Sequence, residues 1–448
     1  MASTQRFLSF SIGVGDEYAI KKYFSSSVII HACVALIIVG MLEFCAQFLF
    51  NGFLNIPTSR ISVAKDLYQL MIVSTFFTIL GVPYSAAINA FEDIWFSGVV
   101  QIVGTILKLF IIVLFSICEI DKLLLFTMWI ACITVLEVIV QYLWCKWKYS
   151  VCCRNNYSLR KSKSYIREMI SFTGWNTLGA FAVVGRNQGI TTVLNVFFGP
   201  KINAVFGIAN QVDGQLVSFA NTLTAAMSPQ IIKSEGSGNR ERLISLTLFS
   251  SKLAFFLSSI FAIPLLIELP FVLKLWLKEI PPHTEIYCRL ILFMFLICEL
   301  YPGLLRGIQA VGKIKWQQIL TSVTVFSPIP IGILFFKLGA PHYSIAYLMV
   351  IAQLFSGAIS VFLSHKYYGL NIKKFLGLVL SSAFSFAVPY FIGYELDKNL
   401  THMSDSLRFM TVVSLSAIAF IFMYFIFCFS KYERTMIFQL ISKLLKSR

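Results

Sequence analysis

The chain has 448 residues, of which 57% are hydrophobic and only 13% are charged. A soluble globular domain carries about 25% charged residues, so this composition excludes that class and indicates an integral membrane protein. The net charge of +16 would suit a nucleic-acid partner, but the basic residues lie in short loops between apolar runs. We therefore expect no nucleic-acid partner.

The N-terminal residues 1–15 are polar and lack the apolar core of a cleavable signal peptide. The first apolar helix should therefore act as the insertion signal. The ten cysteines are scattered, many of them inside apolar segments, which favours buried, reduced thiols over a metal site. We expect no metal and no cofactor.

Twelve apolar segments are each long enough to cross a bilayer, since about 20 helical residues span its hydrocarbon core. Prolines within several of these spans allow kinks. The predicted spans are residues 27–49, 66–88, 95–117, 123–146, 171–197, 203–229, 243–268, 285–308, 316–337, 342–364, 375–395 and 407–429.

The distribution of lysine and arginine predicts the orientation of these spans. With the N-terminus in the cytoplasm, most of the 37 basic residues fall in cytoplasmic segments, above all in the long loop 146–170. If the assignment of inside and outside were shifted by one helix, most of these basic residues would lie on the other side of the membrane. The sequence therefore predicts an all-α polytopic membrane protein of about twelve transmembrane helices with both termini in the cytoplasm.

The stretch 171–230 contains two of these spans, and each has a polar face. In the first, Asn176, Asn187 and Asn195 recur at helical spacing with glycine and threonine; in the second, Asn210 and Asn221 do so. Such faces are poorly suited to lipid, so they should meet other helices or a water-filled cavity.

The segments GWNTLGAFAVVGRNQGITTVLNVFFGP, NAVFGIANQVDGQL and SPQIIKS of this stretch resemble the central helix pair of bacterial polysaccharide (O-antigen) flippases. These proteins form the polysaccharide-transporter branch of the MOP (multidrug/oligosaccharidyl-lipid/polysaccharide) exporter superfamily. The resemblance implies a MOP/MATE-like fold of two bundles. It also implies export of undecaprenyl-pyrophosphate-linked glycans across the bacterial inner membrane. Arg186 and Asp213 depart from the pattern, because each puts a charge in mid-helix.

The resemblance also implies a domain plan. The N-terminal segment resembles the cytoplasmic link that follows the second helix in this family, which implies that two helices upstream are lacking. The predicted domains are an N-terminal bundle of four spans (1–149), a basic linker (150–170), a C-terminal bundle of six spans (171–370), and a peripheral helix pair with an amphipathic tail (371–448).

Charged residues inside the spans are the main site candidates, because a charge at mid-bilayer costs about 2.5–3.5 kcal/mol unless it meets a partner or a cavity. We expect the cations to line a cavity for the lipid pyrophosphate, and the amides to contact the sugars. Alternatives stay open: Arg186 pairs with Asp213, Lys108 pairs with Glu137, or the amides bond between helices. The candidates are Arg186, Lys252, Arg289, Lys108, Asn187, Asn195, Asn210, Gln211 and Asn221.

The energy source is constrained by what the sequence lacks. It contains no phosphate-binding loop motif and no loop large enough for an ATPase domain. Transport driven by a proton or sodium gradient is the remaining option. The candidate coupling residues are Asp213, Glu137 and Glu43.

Other functions compete with the flippase hypothesis. A drug or cation exporter of the same superfamily is one alternative, and a membrane enzyme or a scaffold of glycan assembly is another. The outer loops are short and show no paired carboxylates, so we expect no enzyme. We expect a monomer whose partners are the lipid-linked glycan and membrane lipid, with a glycan polymerase and glycosyltransferases as further candidates. Residues 433–448 are predicted to form an amphipathic helix on the inner leaflet.

Overall fold

The computed structural model describes residues 1–50, 60–115, 122–149, 152, 159–400, 402–431 and 433–435. All regular elements within these residues are helices. The chain divides into two compact units. The first comprises Met1–Gly174 with Ile232–Asn239, and the second comprises Trp175–Ile231 with Arg240–Arg448.

As far as its residues are described, the first unit is built mainly on five helices. A left-handed Gly15 ends α1, and the Asp16 side chain caps the next helix by accepting from the Ala19 backbone N–H. The aromatic side chains of Phe24 and Phe96 lie in the core of this unit. The helices are α1 (Ala2–Val14), α2 (Glu17–Phe48), α3 (Ile61–Ala90), α4 (Ile94–Phe115) and α5 (Lys122–Lys148).

The short helix α1 contacts residues 232–239 at backbone distance. An added Cβ on Gly13 would lie 2.3 Å from the Lys233 carbonyl oxygen, and one on Gly236 would lie 2.3 Å from the Phe10 carbonyl oxygen. Lys233 also pairs with Glu92 at 2.7 Å. Two glycines thus allow this close packing, and an ion pair joins the same segment to the turn after α3.

The long helix α6 (Leu159–Gly236) consists of two arms that meet at Gly199. Gly199 has φ 80°, a conformation that glycine adopts without strain, and Pro200 follows it. Side chains from both arms share one core cluster: Ile190 and Leu194 from the first arm, Val205 and Phe206 from the second. The break therefore folds the second arm back against the first.

Within the described part of the chain, the rest of the second unit contains nine further helices. Two of them begin with a proline, α10 at Pro302 and α12 at Pro328. The N–H of the first helical residue has no partner within the helix, so a proline there costs no hydrogen bond. The helices are α7 (Arg240–Ile267), α8 (Leu269–Trp276), α9 (Thr284–Cys298), α10 (Pro302–Val311), α11 (Lys315–Phe326), α12 (Pro328–Lys337), α13 (Ser344–Tyr368), α14 (Ile372–Asn399) and α15 (Asp405–Phe427).

The number of spans agrees with the sequence. Within the described residues, ten helices are long and apolar enough to cross a membrane, or eleven if the pair α9 and α10, bent by 43°, forms one span. One of the ten contains both arms of α6. Counting the two arms as two spans, and the bent pair of α9 and α10 as one more, gives the predicted twelve.

Some boundaries differ from the predictions. The first span belongs to a helix that begins at Glu17, ten residues before the predicted start. Helix α6 begins at Leu159, so the second half of the predicted basic linker is helical. Of the predicted amphipathic tail, residues 436–448 lie outside the described residues.

Candidate functional site

A cavity of about 290 Å³ lies within the second unit. The first arm of α6, the bent segment around Tyr301, and helices α10, α11 and α13 form its walls. The described residues that line it include no charged side chain. They are Asn176, Gly179, Ala180, Ala182, Val183, Tyr301, Leu305, Gln309, Gln317, Gln318, Thr321, Ser322, Val325, Gln353 and Ser356.

Hydrogen bonds between side chains fix the amides of this cavity. Gln318 Nε2 donates to Asn176 Oδ1 at 3.1 Å, which joins α11 to α6. Gln353 Nε2 donates to the Tyr301 hydroxyl, which joins α13 to the bend between α9 and α10. Gln317 and Gln318 are buried, with exposed fractions of 7% and 9%. The polar lining is therefore oriented by the fold.

Gly179 makes room for the Gln318 amide. A Cβ at position 179 would lie 2.1 Å from Gln318 Oε1, closer than any real contact allows. Because helix α6 has no side chain there, Gln318 reaches across to Asn176. The glycine is thus part of the cavity's construction.

Two polar atoms of the cavity have unused hydrogen-bonding capacity. Within the described ranges, neither Asn176 Nδ2 nor Ser322 Oγ finds a hydrogen-bond partner, although both atoms are buried. Leaving a buried polar group unpaired costs about 1–3 kcal/mol. Both atoms can therefore pair with a ligand or with water in the cavity.

A buried group of charges lies next to Tyr301. The side chain of Arg186, only 9% exposed, donates from Nε and Nη2 to Asn187 Oδ1 at 3.1 and 3.0 Å. Its guanidinium interacts electrostatically with Asp213 and with Tyr301, and Asp213 in turn interacts with Glu299. The structure thus brings Arg186, Asn187 and Asp213 together and adds Glu299.

Two other predicted cavity cations have partners elsewhere in the second unit. Lys252 Nζ lies 2.9 Å from Glu433 Oε2, and Arg289 Nη2 lies 2.8 Å from Glu285 Oε1. Arg289 also donates to the Leu266 carbonyl oxygen. Neither residue lines the cavity described above, and a role for either in substrate binding stays a prediction.

The remaining amide candidates do not converge on the cavity. Asn195, Gln211 and Asn221 are exposed, and Asn210 is half-buried. All four lie on α6, outside the set of lining residues. Their contact with a sugar stays a prediction.

Three predicted residues belong to the first unit. Lys108 Nζ lies 3.4 Å from Glu137 Oε1, which is the pairing considered from the sequence. Glu137 packs over Gly104, where a Cβ would meet its Oε1 at 1.9 Å. Glu43 accepts a hydrogen bond from Gln69 at 3.2 Å.

Sequence reasoning missed most of the cavity. Asn176 was on the polar face recognised in α6, but Tyr301, Gln317, Gln318 and Gln353 were not singled out. The available signal was the run Gln317, Gln318 and Thr321 at the start of an apolar helix, where the first and last are one turn apart. That pattern is typical of many helix ends, so it does not locate a site without the neighbouring helices.

The fold is similar to those of known transporters. A structure of MATE in the straight conformation superposes with a TM-score of 0.66 and 13% identity over 82% of each chain. An outward-facing multidrug resistance MATE family transporter of the MOP superfamily gives 0.64 and 15% over 82% of each chain. The chain has the MATE fold. The MATE transporter ClbM in complex with Rb⁺ gives 0.63 and 16% over 84% of this chain and 83% of that chain.

The likeness to MATE proteins is one of structure. No family model and no curated protein matches the sequence. The predicted all-α polytopic fold of MATE type is confirmed, and the chain is a multi-pass membrane protein. These similar structures are transporters rather than enzymes.

Proposed function

We propose that the protein is a MOP-type exporter that moves undecaprenyl-pyrophosphate-linked oligosaccharide repeat units across the bacterial inner membrane by alternating access. The MATE fold supports an exporter, and the resemblance of residues 171–234 to polysaccharide flippases supports the cargo. In this proposal the sugar occupies the amide-lined cavity of the second unit, and the lipid chain stays in the bilayer.

The observation that carries the proposal is the chemistry of the cavity lining. Amides and hydroxyls on all five walls can exchange hydrogen bonds with sugar hydroxyls at little net cost. Two of these groups, Asn176 Nδ2 and Ser322 Oγ, are buried and have no partner among the described residues. An apolar drug would leave them unsatisfied, whereas a hydroxylated cargo would pair with them.

The cavity also has a suitable location in the predicted topology. Helix α11 begins at Lys315 in a segment predicted to be cytoplasmic, and Val325, the deepest lining residue on this helix, is ten residues further on. At 1.5 Å per residue, the lining reaches about 15 Å, or roughly half of the hydrocarbon core. A cargo entering from the cytoplasm would reach it directly.

An exporter of organic cations is the second candidate. Asp213 interacts with the Arg186 guanidinium and also with the Glu299 carboxylate, so this group has excess negative charge when all three are ionised. A cation or a proton would balance it. In the glycan flippase, the same excess would bind the coupling ion.

Transbilayer movement of a labelled substrate tests the proposal. Proteoliposomes would carry a fluorescent polyprenyl-pyrophosphate-linked disaccharide, and its movement would be followed by chemical quenching at the outer leaflet. The variants Gln318→Leu and Gln353→Leu should slow the movement at least about tenfold, because each loses a polar group of the lining. Gln188→Leu, on an exposed position of α6, is the matched control and should retain the wild-type rate.

Either of two results would contradict the glycan assignment. One is movement no faster than in protein-free vesicles. The other is efflux of ethidium from vesicles by a protein that leaves the disaccharide lipid in place, which would establish the cation exporter.

A further inference from the structure

The edge of the amide-lined cavity carries two cations. Arg306 Nη1 donates to Oε1 of the lining residue Gln309 at 3.3 Å. Lys315 Nζ lies 5.3 Å from the centroid of the Trp175 ring. Trp175 directly precedes the lining residue Asn176, and Lys315 lies two residues before Gln317. Arg306 therefore bonds to a lining residue, and Lys315 contacts the neighbour of one.

These cations are available to a ligand. Among the described residues, the structure pairs neither Arg306 nor Lys315 with a carboxylate, whereas Lys252 and Arg289 in the same unit each have one. Arg306 is half-buried, and a cation taken partly out of water without a counter-ion is costly. An anion at this edge would offset that cost.

Two amide donors of the cavity are available to a ligand. Asn176 Oδ1 already accepts from Gln318, so its free atom is the donor Nδ2. Gln309 Oε1 already accepts from Arg306, which leaves the amide NH₂ of Gln309 as its available group. A ligand with acceptor groups can pair with these donors, and phosphate oxygens are strong acceptors.

We propose that Arg306 and Lys315 form an anion subsite at the edge of the cavity, which binds the phosphate groups of a sugar phosphate while its sugar occupies the amide-lined interior. The subsite deepens the proposed function, on which it rests for the identity of the cargo. Neither residue is among the charged candidates that the sequence predicted to bind the phosphate. The planar fork of Arg306 suits two oxygens of one phosphate, and Lys315 supplies a second positive charge.

Binding to the purified full chain in detergent tests the subsite with three probes. Farnesyl-pyrophosphoryl-N-acetylglucosamine carries lipid, phosphate and sugar; UDP-N-acetylglucosamine carries phosphate and sugar without the polyprenyl chain; N-acetylglucosamine carries the sugar alone. The double variant Arg306→Gln/Lys315→Gln should bind the first probe at least about tenfold more weakly, because it loses charge-assisted hydrogen bonds to phosphate. Its affinity for N-acetylglucosamine should be unchanged.

Matched variants separate loss of charge from loss of structure. Lys366→Gln removes an exposed cation from the predicted cytoplasmic end of α13 and should leave all affinities unchanged. Lys315→Gln alone changes an exposed side chain, so it should fold normally and still weaken binding of the phosphate probes. Arg306→Lys should restore part of the affinity lost in Arg306→Gln.

The outcomes distinguish the subsite from the proposed function. Unchanged binding of both phosphate probes in the double variant, or an equal loss for N-acetylglucosamine, overturns the subsite, whatever the flipping assay shows. A third outcome combines both assays. If the double variant loses phosphate binding and the wild-type protein flips no glycan lipid, the subsite is supported and the flippase is overturned. Equal affinity for the farnesyl and UDP probes supports a subsite that recognises soluble sugar phosphates.

Discussion

At the scale of single residues, the charged side chains within the spans differ in how their charge is compensated. Lys252 has a carboxylate at 2.9 Å, and Lys108 has one at 3.4 Å. Arg186 bonds to an amide and interacts electrostatically with Asp213, which in turn interacts with Glu299. Charge compensation for Arg186 thus comes from a group rather than from one ion pair.

Replacing Arg186 should therefore destabilise the second unit. Arg186→Gln leaves Asp213 without its cation, and removing one partner of a buried charge pair costs about 3–5 kcal/mol. Adding Asp213→Asn should recover part of this loss, which a double-mutant cycle in denaturant would measure. Arg289→Gln, in a partly exposed pair with Glu285, should cost less than about 1 kcal/mol. Strict additivity of Arg186→Gln and Asp213→Asn would contradict the charge group.

Gly179 offers a second test at this scale. Gly179→Ala places a methyl group 2.1 Å from Gln318 Oε1, so the flexible amide must move and its bond to Asn176 is lost. We expect a fall of about tenfold in glycan-lipid flipping with little change in thermal stability. Gly207→Ala, where no atom lies within 4 Å of the added Cβ, should preserve flipping. Equal rates for the two variants would show that the Gln318 position is unimportant.

At the scale of helices and their ends, the first unit depends on close backbone contacts and on one cluster of polar side chains. Asp93 lies in the turn before α4, 2.7 Å from Lys148 Nζ at the end of α5, and it accepts a hydrogen bond from Tyr149. Burial opposes ionisation of this carboxyl group, but the bonds from Lys148 and Tyr149 outweigh it, so the pKa of Asp93 is lowered. The same hydrogen bond and burial raise the pKa of Tyr149.

The lowered pKa of Asp93 determines how its contribution depends on pH. A carboxyl group with a lowered folded-state pKa stabilises the protein above its unfolded pKa of 3.8, and this contribution disappears as pH falls through the folded value. Asp93→Asn should therefore lower the thermal midpoint at pH 7, and the difference from wild type should close below pH 3.8. A difference that stays constant down to about pH 3, roughly one unit below the ordinary pKa of an aspartate, would contradict this pairing.

The contact between α1 and residues 232–239 gives a prediction for an element. Gly13→Ala puts a Cβ 2.3 Å from the Lys233 carbonyl oxygen, and backbone on both sides leaves little room for adjustment. We expect a loss of about 1–3 kcal/mol, typical of overpacking, in denaturant unfolding. Gly40→Ala, with open space around the added Cβ, should be neutral or slightly stabilising. A neutral Gly13→Ala would show that α1 does not pack as described.

At the scale of the whole molecule, the sequence predicts the spans well because apolar length is a local property. The predicted 243–268 and 375–395 correspond to Arg240–Ile267 and Ile372–Asn399. The prolines within spans were predicted to allow kinks, but no bend was assigned to the predicted span 285–308, which contains Pro302 and is bent between α9 and α10. Proline shows where a helix can break, but packing against neighbouring helices determines whether it bends.

The site was less predictable than the spans, because its contacts join distant parts of the chain. Gln318 and Asn176 are 142 residues apart, and Lys252 and Glu433 are 181 residues apart. A search for charges inside spans finds Arg186 and Lys252 but passes over uncharged amides such as Gln353. The local sequence therefore identified unusual residues, whereas the tertiary fold determined which of them share a cavity.

Photolabelling from the sugar tests most directly whether the amide-lined cavity holds the cargo. A polyprenyl-pyrophosphate-linked disaccharide with a diazirine on its sugar would be irradiated with the wild-type protein in membranes, and the labelled residues would be identified by mass spectrometry. We predict labels on Gln317, Gln318 and Thr321, which line the cavity, and none on Val323, which is 67% exposed on the same helix. Labels confined to Val323 and other exposed apolar positions, or absent from the second unit, would contradict the account.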